Sequence, residues 1–457
     1  MKCGIFGVRH EIAGGPLCVD GATGCFARSD DELHSLASSA FDFDGLKPGF
    51  WEYQTTSATF CINLSDACNL RCDYCFNPSK SGRGVPLDEA ILFLDRCFAS
   101  FLGKEKYVVD LSGKGEPLLF LKEILEIKRH CDEWSNRLRR EVLVQFVTNG
   151  TLLDESVASV LQKNGILFGV SLDGTGDIHD RHRKDASGCP TYQAVLGNVN
   201  AIAHHEYVGA ACTLTRDVFS LNDSLNELSK TFSTVSYKPA RNCDEAFDES
   251  CLPGWFDSYD ELVKELMKEA RNGDLRRVKV LLNGEDYLGK FIRRVVLNQR
   301  VLLRCDAGLS RFALDEGGMI YACPASFGKE GFLVGEKFQI DPRKSEAMFL
   351  GQISPSECSL CDFRHICGGE CPLEKALSGG VNKAMCRYKS HLILLAMSFS
   401  LGLCESDEAA FLRIRAFCEE VERRKRVDPE LMDFLDANPS LSFVEGKRAF
   451  NSMEKRY

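Results

Sequence analysis

Six short runs carry the hydrophobic pattern of the first half of the chain: "SATFCINLS" (57–65), "KYVVDLSG" (106–113), "VLVQFVTNG" (142–150), "ILFGVSLDG" (166–174), "VGAACTLT" (208–215) and "FSTVSYKPA" (232–240). Each is rich in β-branched or aromatic residues and most are closed by Gly, Pro, Asn or Asp, which predicts strands. Between them, apolar positions recur at helical spacing over 87–101, 118–139, 153–163, 191–204 and 220–230. "LDESVASVLQKNG" shows an acidic first turn, an apolar stripe and a closing Gly, the start and stop signals of a helix. Repeated βα units imply parallel strands joined by right-handed crossovers. Six units are too few to close an eight-fold barrel, so the expected fold is α/β, an open partial (β/α)6 TIM-like barrel over 57–240. In such folds the functional groups sit at the C-terminal ends of the strands. "SGKGEP", "TNG", "SLDG" and a first cysteine cluster all fall there.

The flanks differ. Residues 1–56 hold Gly-rich and polar stretches and one short helical pattern, 30–40, which reads as a small N-terminal appendage. Residues 241–304 are helical and charged, a connector; 305–390 hold a second set of cysteines; 391–457 form a helical tail that includes the apolar "HLILLAMSFSLGL".

The 457 residues exceed one compact domain, and 44% hydrophobic with 27% charged residues is a globular composition. A net charge of −10 argues against a nucleic-acid partner. No apolar run reaches the ~20 residues of a membrane span, and the first residues lack the apolar stretch of a secretory signal. The expectation is a cytoplasmic protein whose 22 cysteines sit in a reducing compartment. There, clustered cysteines read as metal ligands or catalytic thiols before disulfides.

"SDACNLRCDYCFNPSK" (65–80) places Cys68, Cys72 and Cys75 at CxxxCxxC spacing. A structural zinc closes its tetrahedron with four ligands, whereas a four-iron cubane held by three thiolates leaves one iron open. A zinc knuckle with a distant fourth ligand is the alternative at this point.

"CNLRCDYCF", "GKGEP" (with Lys114 where the family's motif has its first Gly) and "GVSLDGTGDIHDRHRKDASGCPTY" agree in order and spacing with motifs of the radical S-adenosylmethionine superfamily, and the chain resembles its peptide- and protein-modifying members over about 57–390. The resemblance implies that Cys68, Cys72 and Cys75 hold a [4Fe-4S] cluster whose open iron chelates S-adenosylmethionine. One-electron cleavage there yields a 5′-deoxyadenosyl radical that takes hydrogen from substrate. It also implies that the main chain around Tyr74 lies near the adenine and that Gly115 and Glu116 meet the methionine amino group. Ser171 and Arg183 are the candidates for its carboxylate, with Arg181 a competitor for Arg183. Asp173 is a turn-former or a ligand.

The second set, Cys305, Cys323, Cys358, Cys361, Cys367, Cys371 and Cys386, runs Cys-x12-Gly-x4-Cys, then CxxC-x5-C-x3-C, then Cys. Two structural zincs are the plainer alternative. The pattern resembles the SPASM extension of radical enzymes, which carries two auxiliary [4Fe-4S] clusters and brings the total to three. By that arrangement Cys358, Cys361, Cys367 and Cys386 hold the outer cluster, and Cys305, Cys323 and Cys371 the inner one. Some relatives supply an eighth cysteine where this chain has Arg311; an open iron, Asp306, Cys243 or Cys251 could stand in. The remaining cysteines lack cluster spacing, and those in apolar patterns, such as Cys61 and Cys212, read as small buried hydrophobes.

The resemblance implies a radical maturase that installs a thioether or other side-chain cross-link in a ribosomally made precursor peptide, fed by an electron donor such as flavodoxin or ferredoxin. The alternative is an anaerobic sulfatase-maturating enzyme, which oxidises Cys or Ser to formylglycine. That family carries Asp after the second SPASM cysteine, where this chain has Pro324. A non-catalytic iron–sulfur sensor or scaffold is the third reading; the retained Glu116 and "SLDG" speak against it.

Overall fold

The computed structural model describes residues 8–12, 15–19, 25–29, 31–33, 56–77, 79–202, 208–241, 243–353, 357–426 and 428–454. Each of the six expected strands forms: β4 (Ser57–Ile62), β5 (Lys106–Asp110), β6 (Glu141–Thr148), β7 (Leu167–Ser171), β8 (Gly209–Leu214) and β9 (Thr234–Pro239). They pair in parallel and in sequence order, with Cys61 opposite Asp110 and Thr213 opposite Lys238. Each strand is shorter than its sequence run at the C-terminal end. The surplus residues turn out of the sheet as loops, and those loops carry the chemistry. Among the described residues the sheet is parallel-rich and mixed with helices, the arrangement of a partial barrel.

The intervening helices are α1 (Leu87–Ser100), α2 (Leu121–Leu138), α3 (Glu155–Lys163), α4 (Gly176–His182), α5 (Tyr192–Asn200) and α6 (Leu221–Leu228). Local chemistry sets their starts. Asp154 accepts from Val157 N and Ser220 from Asp223 N, each satisfying a donor that the first helical turn leaves free. The pattern did not indicate α4; at seven residues, with His and Arg in its last turn, it has no long apolar stripe. Inside, Phe60 of β4 meets Phe93 and Phe98 of α1 edge-on, with ring centroids 6.2 and 5.6 Å apart. Burying one such ring contributes about 1.5–3 kcal/mol.

The sheet continues beyond the six strands. β10 (Arg311–Asp315) adds in parallel to β4, with Phe312 opposite Phe60. β11 (Met319–Tyr321), β12 (Leu333–Glu336) and β13 (Gln339–Ile340) follow antiparallel. The cysteine-rich segment is thereby hydrogen-bonded to the first strand, and β4 is left with no open edge. The sequence reading had no strand here, because "RFALD" and "MIY" are too short to stand out. At the start of the chain β1 (Val8–Ile12), β2 (Gly15–Val19) and β3 (Phe26–Ala27) make a separate antiparallel sheet; most of the 30–40 pattern lies outside the described residues.

The connector folds as α7 (Leu252–Arg271), α8 (Arg276–Asn283) and α9 (Tyr287–Val296). After α10 (Pro342–Ile353), α11 (Arg364–Cys367) and α12 (Pro372–Leu377) come α13 (Lys383–Ser406), α14 (Glu408–Arg424), α15 (Pro429–Ala437) and α16 (Phe443–Glu454). The apolar run of the tail lies in α13, which packs on α7 and α9; the hydroxyls of Tyr388 and Tyr259 are 2.7 Å apart. Among the described residues no helix is long and apolar enough to cross a membrane.

Candidate active site

The loop that leaves β4 carries the first three cysteines. It is pinned at both ends. Buried Asp66 accepts from Gly82 N (2.5 Å) and Ser81 Oγ (2.8 Å). Burial alone would raise its pKa, but these hydrogen bonds hold it below the ordinary carboxylate range. Further on, Arg71 N donates to Lys184 O (2.8 Å), and Leu70 bridges to Asp185. The turn after β5 closes over the same loop. A Cβ on Gly115 would stand 2.2 Å from Ala67 O and 2.6 Å from Ser65 O, so only Gly fits.

Cys68, Cys72, Cys75, Tyr74, Gly115, Glu116, Ser171 and Arg183 all line one cavity of about 440 Å³ at the C-terminal ends of the strands. Lys80 Nζ is 3.3 Å from Cys75 Sγ, and Asn149 Nδ2, which donates to Asn69 Oδ1 at 2.8 Å, lies 3.9 Å from Cys68 Sγ. Burial pushes the Cys72 thiol up to about 11, with the Arg183 charge opposing. The cavity also reaches the cysteine-rich segment, through Ala325, Cys371, Leu373 and Glu374. A second cavity of the same volume lies between α16 and the opposite ends of β6 and β7, and no cysteine lines it.

Two expected contacts look different in detail. Glu116 is buried, and both its oxygens are occupied: Oε1 by Thr148 Oγ1 (2.5 Å) and Leu118 N (3.1 Å), Oε2 by Asn149 N (2.8 Å). Burial still raises its pKa against those donors. Arg183 grips Asp173, Nε to Oδ2 at 2.7 Å and Nη2 to Oδ1 at 3.2 Å. Asp173 also accepts from Thr213 N (2.7 Å) and from the Tyr74 hydroxyl. Asp173 is thus a buried counter-ion joining three loops. Arg181 instead pairs with Asp217 near the surface, 2.7 Å away.

Cys358, Cys361, Cys367 and Cys386 line a separate cavity of about 120 Å³. Cys305, Cys323 and Cys371 stand near one another: the Cys323 thiol feels the charge of Cys371, and Cys305 that of Cys323. Among the described residues no three His, Cys, Asp or Glu side chains converge as ligands of a single ion; the thiols ring cavities. Cys68, Cys72 and Cys75 on the large cavity and the four thiols on the small one form a donor set whose chemistry suits iron–sulfur clusters. Arg311, at the place of an eighth cysteine, pairs with Asp306 (Nε to Oδ1 3.1 Å), and Ser310 Oγ takes the other oxygen at 2.9 Å. Both Asp306 oxygens are therefore engaged. Cys251 Sγ donates to Asp248 O (3.2 Å), and Cys243 lies by Glu245, Asp244 and Asp73.

Sequence reasoning noted Lys114 only as a departure from the family's motif and passed over Arg241 and Glu374. Lys114 Nζ reaches Asp315 Oδ2 of β10 at 2.6 Å, and Arg241 Nε reaches Glu374 Oε1 at 2.9 Å. Both pairs join the barrel to the cysteine-rich segment. Pairing over 130 residues or more leaves no local pattern to read.

The sheet, the three-cysteine loop and the turn that closes on it define a radical S-adenosylmethionine protein; the family model described as "Radical SAM superfamily" matches residues 62–219. The chain is 32% identical over 338 residues to a cysteine-type anaerobic sulfatase-maturating enzyme of Clostridium perfringens, spanning 67% of this chain and 86% of the relative. It is 24% identical over 381 residues to a serine-type anaerobic sulfatase-maturating enzyme of Klebsiella aerogenes, spanning 78% and 90%. The solved structure of native anSMEcpe with bound AdoMet and Kp18Cys peptide shares the fold, with a TM-score of 0.62 at 17% identity over 79% of this chain and 99% of the other. The chain belongs to the anaerobic sulfatase-maturating, SPASM-type family of radical S-adenosylmethionine enzymes.

Proposed function

We propose that the protein oxidises the side chain of a Cys or Ser within a peptide segment to an aldehyde, giving formylglycine. The observation that carries this reading is the 32% identity to a cysteine-type maturase over two thirds of the chain. The cavity suits it, since it runs from the three-cysteine loop to Cys371 and leaves a side chain room between them. In this reading Cys68, Cys72 and Cys75 hold one [4Fe-4S] cluster. Cys358, Cys361, Cys367 and Cys386 hold a second, and Cys305, Cys323 and Cys371 a third. Bound there, the first cluster and S-adenosylmethionine supply the hydrogen-abstracting chemistry of the superfamily.

The chain's own residues bind and orient. The Gly115 backbone, which lies against the cysteine loop, would meet the methionine amino group, with Glu116 accepting through the lone pairs that Thr148, Leu118 and Asn149 leave free. Ser171 and Arg183, which line the cavity, would hold the methionine carboxylate, and the main chain at Tyr74 would lie against the adenine. Asp173 keeps Arg183 charged and fixed, which burial alone would oppose. The apolar wall of Val147, Leu70 and Leu373 limits water around the reacting carbon.

Peptide cross-linking is the second reading. It is favoured by Pro324 and Arg311, which stand where the maturase pattern has Asp and Cys. One experiment separates the two. Anaerobic holoenzyme with S-adenosylmethionine and reductant is given a peptide with one Cys, and the same peptide with Ser. A product captured by a hydrazide supports the aldehyde; an internally bridged product without carbonyl reactivity overturns it.

A further inference from the structure

Lys80, Lys114, Arg183 and Arg241 bring positive side chains to the large cavity. Three of them have carboxylate partners: Lys114 has Asp315 at 2.6 Å, Arg183 has Asp173 at 2.7 Å and Arg241 has Glu374 at 2.9 Å. Among the described residues Lys80 has none. Its Nζ donates instead to Cys75 Sγ, 3.3 Å away. A half-buried cation without a carboxylate beside it takes its counter-charge from what the cavity holds.

The loop fixes the aim of this side chain. Lys80 follows Cys75 by five residues, and both its neighbours are tied. Asn77 Nδ2 donates to Ser79 O at 2.8 Å, and Ser81 Oγ donates to Asp66 Oδ2 at 2.8 Å. Gly84 closes the return, since a Cβ there would stand 2.1 Å from Leu64 O. The stretch after Cys75 thus folds back on the stretch before Cys68 and holds Lys80 beside the last cysteine.

The three sulfurs are not equivalent. Cys68 Sγ meets neutral donors, Leu70 N at 3.4 Å and Asn149 Nδ2 at 3.9 Å. Arg183 acts on Cys72 through its charge, while its Nε and Nη2 are given to Asp173 and Thr213. Cys75 Sγ also donates to Asn77 O at 3.2 Å, a bond for which a metal-bound thiolate has no proton. Among the described residues Lys80 is therefore the one charged hydrogen-bond donor to a sulfur of this set.

We infer that Lys80 tunes the cluster held by Cys68, Cys72 and Cys75, raising its reduction potential through a charge-assisted hydrogen bond to the Cys75 sulfur. This rests on the assignment of those three thiols in the reading above. Hydrogen bonds to ligating sulfurs and nearby charge set the potentials of such clusters. On reduction one electron enters from a low-potential one-electron donor, no proton moves, and the negative charge beside Lys80 grows. The fixed positive charge favours that reduced state over the oxidised one. Lys80 touches neither substrate nor S-adenosylmethionine in this account; it acts through Cys75.

The test compares reconstituted native protein with Lys80→Met, Lys80→Gln and Lys80→Arg in an anaerobic redox titration followed by electron paramagnetic resonance. The signal read is the one that is missing when Cys68, Cys72 and Cys75 are all Ala. For the Met variant we expect the reduction equilibrium to fall about tenfold, which is about 59 mV for a one-electron couple, with iron content unchanged. The Gln variant, a donor without charge, should fall between Met and native, and the Arg variant should recover most of the shift. Under limiting reductant, 5′-deoxyadenosine formation should slow in the Met variant and recover with excess reductant. A Met variant that keeps its iron and titrates at the native midpoint overturns the tuning role. So does an Arg variant displaced as far as Met, because charge is then not the cause. Should the Met variant lose this cluster, the Gln variant decides: a lowered midpoint supports tuning and a native one overturns it. Loss of the cluster from both neutral variants would show that Lys80 builds the site and does not tune it. Native protein without the signal overturns the assignment of the three thiols and the tuning with it, whereas native midpoints in Met and Gln alike overturn only the tuning.

Discussion

At Gly115 the chain tolerates no side chain, because the carbonyls of Ala67 and Ser65 occupy the space. These are backbone atoms of the cysteine loop and cannot swing aside. Gly115→Ala is predicted to push the two loops apart at a cost of about 1–3 kcal/mol. It should weaken S-adenosylmethionine binding in an anaerobic titration more than it lowers the melting temperature; unchanged affinity would show that the loops can part freely. Glu116→Gln tests the neighbouring position. An amide has one acceptor oxygen where the carboxylate has two, and its NH2 would face a donor. One of Thr148 Oγ1, Leu118 N or Asn149 N is then left unpaired at about 1–3 kcal/mol, read as a loss in denaturant midpoint with iron retained. An unchanged midpoint would mean that the carboxylate does not hold these loops together.

Asp286 sets a pH dependence at the scale of the helix it caps. It accepts Gly289 N at 2.9 Å at the start of α9, while Oδ2 is buried without a partner. Burial pushes its pKa from 3.8 up to about 7, against the Gly289 N–H and the charges of Arg293 and Lys290. The folded state binds this proton more tightly than the unfolded chain does. The group's stabilisation is therefore full below its ordinary value and lost as pH rises through about 7. A shift of this size corresponds to about 4 kcal/mol, as an order of magnitude. Asp286→Asn keeps an acceptor for the cap and stays neutral. Its melting temperature should exceed the native value at about pH 8 and fall to it, or below, near pH 5; a pH-independent difference would refute the account. Elements of this kind were legible in the sequence where local pattern decides: six strands and five of the six intervening helices, with the acidic first turn and closing Gly of "LDESVASVLQKNG" marking one of them. β10 to β13 were not, since strands of two to five residues form only by adding to the sheet, β10 on the edge of β4 and the others in turn on β10. The site divides the same way. Cysteine spacing and "GKGEP" are local and were read; Asp173 as counter-ion to Arg183, Lys114 on Asp315 and Arg241 on Glu374 exist only once distant segments meet.

In the molecule as a whole, three separate stretches carry the thiols, and the sheet welds them together through the pairing of β10 with β4. The loop after β4 is held by Asp66 and by the 182–185 segment, independently of the four cysteines around the small cavity. Loss of one set should then leave the others in place. If each set holds a cubane, anaerobically reconstituted protein carries about twelve irons and twelve sulfides per chain. Replacing Cys68, Cys72 and Cys75 together by Ala is predicted to remove about a third of the iron and abolish reductive cleavage of S-adenosylmethionine. Replacing Cys358, Cys361 and Cys367 should remove a similar share while cofactor binding at the large cavity persists. The second variant carries the stability penalty, because Cys361 and Cys367 pack against the main core where α11 meets α13, whereas the first loop lines the large cavity. Iron and sulfide assays with anaerobic titration of the cofactor check both. Stoichiometric zinc in anaerobically purified native protein would overturn the cluster assignment. Loss of all iron from either variant would show that the three sets fold as one unit.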